Sequence, residues 1–107
     1  MGHTKRMAHT LEQNQLAELF KAFGHPARIA ILQYISTQPD SICTDMVEEI
    51  DLAQSTISQH LIELKKTGII EGKAYGKKMY YRINIDKLYE VKQVLNHFLN
   101  TTHENCY

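Results

Sequence analysis

Apolar side chains recur every three or four residues along most of this chain, which is the spacing of one face of an α-helix. In residues 11–23 this spacing predicts a first helix whose apolar stripe is Leu16, Leu19, Phe20 and Phe23. Gly24 ends that helix, and Pro26 suits the first position of the next one, where proline leaves no N–H unpaired. In the second helix we expect one buried face made of Ile29, Leu32 and Ile35.

Two closely spaced helices are predicted next, in residues 44–67. Thr44 is the expected N-cap of the first and shorter one, with Asp45 in its first turn, where a carboxylate suits the helix dipole. Residues 51–53 leave room only for a tight turn before the second helix, which ends at Gly68. Its apolar stripe is Ile57, Leu61 and Leu64, and its opposite face carries hydroxyls and amides. Two helices joined this tightly, the second with a polar outer face, predict a helix-turn-helix.

The pattern changes from helical to extended after Gly68. Ile69-Ile70 and Met79 to Asn84 predict two strands, and the glycines between them mark a hairpin, the wing, in residues 69–84. A last helix in residues 85–101 has a wide apolar face. The predicted fold is therefore mainly α with a small β-hairpin wing, a winged helix-turn-helix in the order α-α-α-α-β-β-α. We expect one domain over residues 1–107, in which residues 1–10 are a mobile arm or the frayed start of a helix.

Charge is distributed unevenly along a chain whose formal net charge is zero. Residues 65–82 contain six basic side chains and one acidic one, whereas residues 39–64 contain six acidic side chains and no lysine or arginine. Because phosphates respond to the local potential, the basic segment can attract nucleic acid although the whole chain is neutral. A lysine-rich loop can equally serve only to keep a protein in solution.

The rest of the composition excludes several classes of protein. No apolar run reaches the roughly 18 residues of a membrane span, and the N-terminus is unlike a signal peptide. Two cysteines, Cys43 and Cys106, do not suggest a disulfide framework, so we expect a reducing, cytoplasmic location and no membrane partner. The sequence contains no nucleophile–base arrangement, phosphate loop or complete metal motif, and we therefore predict that the protein is not an enzyme.

The second helix of the predicted helix-turn-helix is the one expected to enter a DNA groove, and we call it the recognition helix. Its candidate residues for contact with DNA bases are Gln54, Ser55, Thr56, Ser58, Gln59 and His60. A glutamine amide can pair with an adenine edge, and hydroxyls can meet bases or phosphates. For His60 two positions stay open: it reaches the DNA groove, or it tucks against the helix before it. Arg28 likewise either contacts phosphate or is a structural ion-pair partner.

The predicted wing supplies candidate backbone contacts. We expect Lys73, Lys77 and Lys78 to contact phosphates, with Tyr75 beside them in the minor groove. These residues predict a sequence-specific DNA-binding transcriptional regulator. The alternative is a winged-helix protein-interaction module without specific DNA binding, which would more often expose aromatic side chains on its docking face.

Three segments carry a resemblance to a known family. They are the run from Phe20 to Leu32 with its Pro-x-Arg, the run Ser55-x-x-Ser58-x-His60-Leu61 that leads to Gly68-Ile69-Ile70, and the run from Gly76 to Ile83. In order and register, over roughly residues 12–99, they are similar to the ArsR/SmtB family of small winged-helix transcriptional repressors. The resemblance implies a homodimer that binds a near-palindromic operator in double-stranded DNA and is released by an effector, which the sequence does not identify.

The resemblance also implies that the dimer is built on the first and last helices. The candidate interface residues are Leu16 and Phe20 on the first helix and Leu88, Val91, Leu95 and Phe98 on the last. A broad apolar face at the end of a small domain is consistent with such an interface.

The metal sites of the family are incomplete in this sequence. Metal-sensing members carry Cys-x-Cys-Asp-Leu at the third helix, but Ile42 and Thr44 stand where the cysteines are needed, with Cys43 between them. A second site requires Asp-x-His near the start of the last helix, and Asp86 is followed by Lys87-Leu88. We therefore assign no cofactor.

Scattered soft ligands remain at the two ends of the chain, namely His3, His9, His97, His103 and Cys106. In a dimer packed through its terminal helices they either meet and form a transition-metal site or remain a polar tail.

Overall fold

The computed structural model describes residues 8–106 and confirms the predicted fold class and order of elements. The elements are α1 (Leu11–Phe23), α2 (Pro26–Thr37), α3 (Cys43–Ile50), α4 (Gln54–Thr67), β1 (Ile70–Tyr75), β2 (Lys78–Ile83) and α5 (Ile85–Glu104). Within the described residues, no helix is both long enough and apolar enough to cross a membrane.

Side chains accept hydrogen bonds from backbone N–H groups at the starts of α1 and α2, which have no partner within the helix. Thr10 and Gln13 form a capping box at α1, because each side chain accepts a hydrogen bond from the other residue's backbone N–H at 3.0 Å. At α2 the cap is His25, whose Nδ1 accepts from the N–H of Ala27 at 3.1 Å, with Pro26 as the first helical residue. An imidazole that accepts a hydrogen bond at Nδ1 has to be unprotonated at that atom.

The buried face of α2 differs from the predicted one. Ala27, Ile31 and Ile35 are buried, whereas Ile29 is 46% exposed, so the prediction that Ile29 belongs to this face is wrong. The buried residues follow a spacing of four, and the predicted set followed a spacing of three. Both spacings fit a helix, and only the packing of α2 on its neighbours selects between them.

The start of α3 also corrects the sequence-based prediction. Thr44 is not its N-cap; the helix begins at Cys43, and Asp45 Oδ2 accepts a hydrogen bond from the N–H of Ile42 at 3.1 Å. The Asp45 carboxylate, which lies in the first turn, thus provides a hydrogen-bond acceptor for a backbone N–H at the N-terminus of α3. The turn to α4 is as short as predicted, and Asp51 takes a left-handed conformation there with φ 58°.

The core lies where α2, α3 and α4 meet the base of the hairpin. Its fully buried side chains are Ile31, Ile35, Met46, Ile57, Leu61, Leu64, Ile69 and Ile70. Each such side chain contributes about 1.5–3 kcal/mol when it is fully removed from water. The predicted apolar stripe of α4 is therefore buried in the core, and the opposite face of α4 is exposed to solvent.

The wing is a two-stranded antiparallel hairpin whose register pairs Ile70 with Ile83 and Tyr75 with Lys78. Gly76 occupies the first position of its two-residue loop with φ 59°, a conformation that glycine adopts without strain. The segment before α3 adds a bridge that the sequence did not reveal: Tyr81 N–H donates to the carbonyl of Ser41 at 2.9 Å. This bridge connects β2 of the wing to the segment that leads into the helix-turn-helix.

Candidate nucleic-acid interface

The exposed face of α4 presents short polar side chains. Gln54, Ser55, Thr56 and Gln59 are exposed, while the apolar stripe of the same helix is buried. Ser55 and Gln59 are four residues apart and therefore lie one above the other, on the side opposite the buried stripe. These two side chains are therefore exposed side by side on the outer face of α4.

Ser58 does not share that exposed face. Its Oγ lies 3.5 Å from Cys43 Sγ at the start of α3, and the same thiol lies 4.0 Å from the carbonyl oxygen of Gln54. The half-buried Ser58 is therefore part of the contact between the two helices of the helix-turn-helix. A contact between Ser58 and DNA stays a prediction.

His60 is tucked in, but against α2 rather than against α3. Its ring lies on the ring of His25, with centroids 4.4 Å apart, and its Nδ1 accepts a hydrogen bond from Arg28 Nε at 3.2 Å. Burial lowers the pKa of His60 below its ordinary value, and the adjacent His25 and Arg28 act in the same direction, while Glu63 opposes them. The neutral ring is the form that this arrangement holds, so His60 leaves the set of base-reading residues.

Arg28 fastens three helices together. Besides its bond to His60 in α4, its guanidinium donates to the carbonyl oxygen of Lys21 in α1 at 3.0 Å. Both acceptors are uncharged, so Arg28 is structural, as one of the two sequence-based alternatives had it, but without an ion pair among the described residues. We refer to His25, Arg28 and His60 as the histidine–arginine cluster.

Two further residues of the α4 outer face were missed by the sequence analysis. Ile62 is 50% exposed and lies three residues after Gln59, and Lys66 continues the same face while pairing with Glu63 at 3.4 Å. An exposed isoleucine beside Gln59 is the kind of apolar side chain that contacts thymine methyl groups in major grooves. Its sequence signal is its position, because it lies seven residues from Ser55 on the helix.

The outer face of the wing combines lysines with a tyrosine pair. Alternation along the paired strands puts Lys73, Tyr75, Lys78 and Tyr80 on one face, with Lys77 in the loop. The exposed Tyr75 packs edge-on against Tyr80 at a centroid distance of 6.0 Å. Lys73 Nζ lies 5.5 Å from the centroid of the Tyr75 ring. Within residues 8–106 none of the three wing lysines forms an ion pair, so their charges are available to an anionic partner.

Arg82 differs from the lysines, although it lies in the same basic segment. Its guanidinium donates to Asp40 Oδ1 from Nε at 3.3 Å and from Nη2 at 3.1 Å. The pair joins β2 to the loop before α3 and neutralises one of the charges counted in the sequence. The positive potential is therefore concentrated toward the tip of the wing.

The candidate dimer residues divide into exposed and buried ones. Leu88 is 40% exposed in the single protomer, and Phe20 is also exposed and meets Phe98 edge-on at 5.8 Å. Leu16, Leu95 and Phe98 are half-buried. Val91, by contrast, is only 3% exposed and belongs to the core, so we remove it from the candidate interface.

The soft ligands at the chain ends are not gathered into a site. His9, His97, His103 and Cys106 are exposed, and His3 lies outside the described residues. In the described part of the chain no three His, Cys, Asp or Glu side chains come together in a way that would hold a metal ion. Cys106 Sγ instead donates to the carbonyl oxygen of Thr102 at 3.3 Å.

Comparison with known proteins gives consistent likenesses. The family model "Bacterial regulatory protein, arsR family" matches residues 25–71. An uncharacterised HTH-type transcriptional regulator of Methanocaldococcus jannaschii is 35% identical over 75% of this chain and 90% of its own length. The transcriptional repressor PagR of Bacillus anthracis is 31% identical over 82% of this chain and 91% of its own length. A homodimeric winged helix-turn-helix DNA-binding domain of Mycobacterium bovis superposes with a TM-score of 0.65 and 26% identity, covering 78% of this chain and 77% of the other.

Proposed function

This chain belongs to the ArsR family of transcriptional regulators, and from that premise we propose that it is a homodimeric repressor that binds a near-palindromic operator and leaves it when an effector binds. The observation that carries the proposal is the exposed face of α4. Ser55 and Gln59 project from this face into solvent, while the opposite face of the helix is buried in the core. Side chains of this kind can pair with base edges in a major groove.

Within the proposed complex the two parts of the interface do different work. Gln54, Ser55, Thr56 and Gln59 contact bases or the phosphates that border them, and Gln59 reads an adenine. Lys73, Lys77 and Lys78 contact phosphates, with Tyr75 in the minor groove beside them. Phosphate contacts set the register of the protein on the duplex, and base contacts supply the discrimination between sequences.

The proposed dimer axis runs between the α1–α5 faces of two protomers. The apolar side chains that remain exposed or half-buried there would be covered by a second copy: Leu16, Phe20, Leu88, Leu95 and Phe98, to which we add Leu99. A two-fold dimer presents its recognition helices to two half-sites about one helical turn apart. The M. bovis domain is described as homodimeric, which supports the proposal that this chain forms a dimer.

The alternative function, a protein-interaction module without specific DNA binding, is not favoured. The related chains are named as transcriptional regulators or repressors. They are not named as enzymes, and we propose that this chain has no catalytic activity. We propose a cytoplasmic location, because the matching family model describes bacterial regulatory proteins, whose operators lie in the cytoplasm.

Replacing Lys77 and Lys78 together with alanine is expected to weaken binding to all DNA sequences alike. Both side chains are exposed and unpaired in the described structure, so each phosphate that one of them binds releases a counterion. The slope of log affinity against log salt should flatten by about 0.9 for each phosphate that is no longer neutralised, counted in both protomers. Fluorescence anisotropy with operator and random duplexes over a series of salt concentrations measures this slope.

The matched control for the wing is Lys87→Ala, since Lys87 is a lysine of α5 outside the proposed DNA contacts and about 100° round the helix from Leu88. This variant should keep the wild-type slope. A slope unchanged by the double substitution, or flattened equally by Lys87→Ala, would exclude the wing from the interface.

Zinc, cadmium and arsenite are expected not to release the operator at low micromolar concentration. A tightly held transition metal needs three or four well-placed ligands, and the neighbours of the Cys43 thiol are a serine hydroxyl and a backbone carbonyl. A DNA-release titration with each ion tests this expectation on the wild-type protein, Cys43→Ser and Cys106→Ser. Release that is abolished in Cys43→Ser and kept in Cys106→Ser would instead locate a metal site at α3.

A further inference from the structure

The histidine–arginine cluster joins the recognition helix to the rest of the protomer through hydrogen bonds that require unprotonated imidazoles. His25 Nδ1 accepts from the N–H of Ala27, and His60 Nδ1 accepts from Arg28 Nε. The two rings lie against each other, with centroids 4.4 Å apart. Each acceptor disappears when its own ring takes up a proton, because both nitrogens of an imidazolium are donors.

Protonation would also bring like charges together at one point. Arg28 is always charged, so a proton on His60 places two cations within hydrogen-bond distance of each other. The acidic group that faces His60 is Glu63, one turn along the same helix, and it is partly engaged with Lys66 at 3.4 Å. Lys21 contributes its backbone carbonyl to Arg28 and thereby holds the guanidinium in place.

The position of the cluster connects this chemistry to DNA reading. Gln59, the proposed base-reading residue, directly precedes His60 in α4, and Ala27 lies at the N-terminal end of α2 that His25 caps. We propose that Arg28 and His60 are positioning residues for the recognition helix, and that protonation of the cluster selectively weakens sequence-specific binding. This inference rests on the proposed function.

The opposite responses of the two kinds of DNA contact distinguish this effect from a general charge effect. Added protons make the protein more positive, which strengthens phosphate contacts on any sequence. A displaced α4 no longer reaches the base edges, which matter only on the operator. The ratio of operator affinity to random-duplex affinity should therefore fall on acidification, even where binding to random DNA improves.

The direction of the pH effect follows from the neutral state of His60. Because burial, His25 and Arg28 lower the pKa of His60, the positioned state is fully present above the ordinary histidine pKa of about 6.5 and is lost as the pH falls through the lowered value. As the pH falls from about 7.5, we expect the affinity ratio in the wild-type protein to decrease only below about pH 6.5, and by roughly tenfold once the His60 ring is protonated.

Asparagine substitutions remove the titration and keep the acceptors. An Asn oxygen lies near the place of the imidazole Nδ1, and asparagine is itself a favourable N-cap, so His25→Asn and His60→Asn retain acceptors for Ala27 N–H and Arg28 Nε. The doubly substituted protein should have an affinity ratio that does not change with pH. His97→Asn, at an exposed position of α5, is the matched control and should reproduce the wild-type pH profile.

Anisotropy titrations on operator and random duplexes at matched ionic strength provide the measurement, with circular dichroism at each pH to verify the helical content. A wild-type ratio that stays constant with pH, or a double variant whose ratio falls as far as that of the wild type, overturns the proposal. The wild-type ratio at about pH 7.5 tests the proposed function by itself, because a ratio of one would mean no specific binding at any protonation state.

A second measurement uses the wild-type protein alone and does not depend on the folding of any variant. In an NMR titration the backbone amides of Gln59 and Ala27 should shift with the same midpoint as the ring of His60. If the His60 ring titrates while the Gln59 amide does not move, the cluster does not position the recognition helix, and the proposal fails.

Discussion

Replacing Leu88 and Leu99 together with aspartate should dissociate the proposed dimer and remove most of the affinity for the operator. In the single protomer these side chains are 40% and 54% exposed, so the protomer can fold with charged residues in their place. In a two-fold interface each aspartate would be buried without a partner, and the chains would separate rather than bury it. Without the linkage between two DNA-binding units, operator affinity should fall by about 10²–10⁴-fold.

Sedimentation at micromolar concentration, combined with operator titration, measures both consequences. Tyr89→Asp is the matched control, because Tyr89 is an exposed apolar residue next to Leu88 on α5 but about 100° further round the helix. It should remain dimeric. A Leu88→Asp, Leu99→Asp protein that is still a dimer would show that α5 does not form the interface. Leu95 is less suitable for this test because it packs on the protomer core.

Gln59→Ala should cost about 1–3 kcal/mol on the true operator for each half-site and little on random DNA. Its amide is exposed on the face of α4 opposite the buried stripe, and its removal takes away a donor and an acceptor at once. The helix itself should be unaffected, since alanine is a better helix former than glutamine.

Gln93→Ala provides the matched control for base reading, since Gln93 is an exposed glutamine on α5. Its operator affinity should equal that of the wild type. The informative comparison is between the operator and a random duplex, both titrated at the same salt concentration. Equal reductions on the two duplexes would show that Gln59 does not read bases.

The order of the elements and the inner face of the recognition helix were both predictable from the residues alone. The stripe of Ile57, Leu61 and Leu64 is buried as predicted, and the hairpin reverses at Gly76. These features were predictable because they depend on local physics. The spacing of apolar residues indicates a helix, and a glycine between two predicted strands indicates a tight turn. Neither inference depends on the rest of the chain.

In contrast, packing between helices decides whether the residues on either side of a buried stripe are exposed or buried. Ser58 and His60 lie on either side of the buried stripe of α4, where helical period does not distinguish a solvent-exposed side chain from one that meets a neighbouring helix. Ser58 meets Cys43 of α3, and His60 meets Arg28 of α2, which is 32 residues away in the sequence.

The same limit explains the corrections on α2 and α5. Ile29 was predicted to be buried and is exposed, whereas Val91 was expected at a dimer face and lies in the protomer core. An apolar face wider than the neighbour that covers it leaves some residues buried and others exposed. The width and position of that neighbour are set by contacts between residues far apart in the chain, and no local pattern records them.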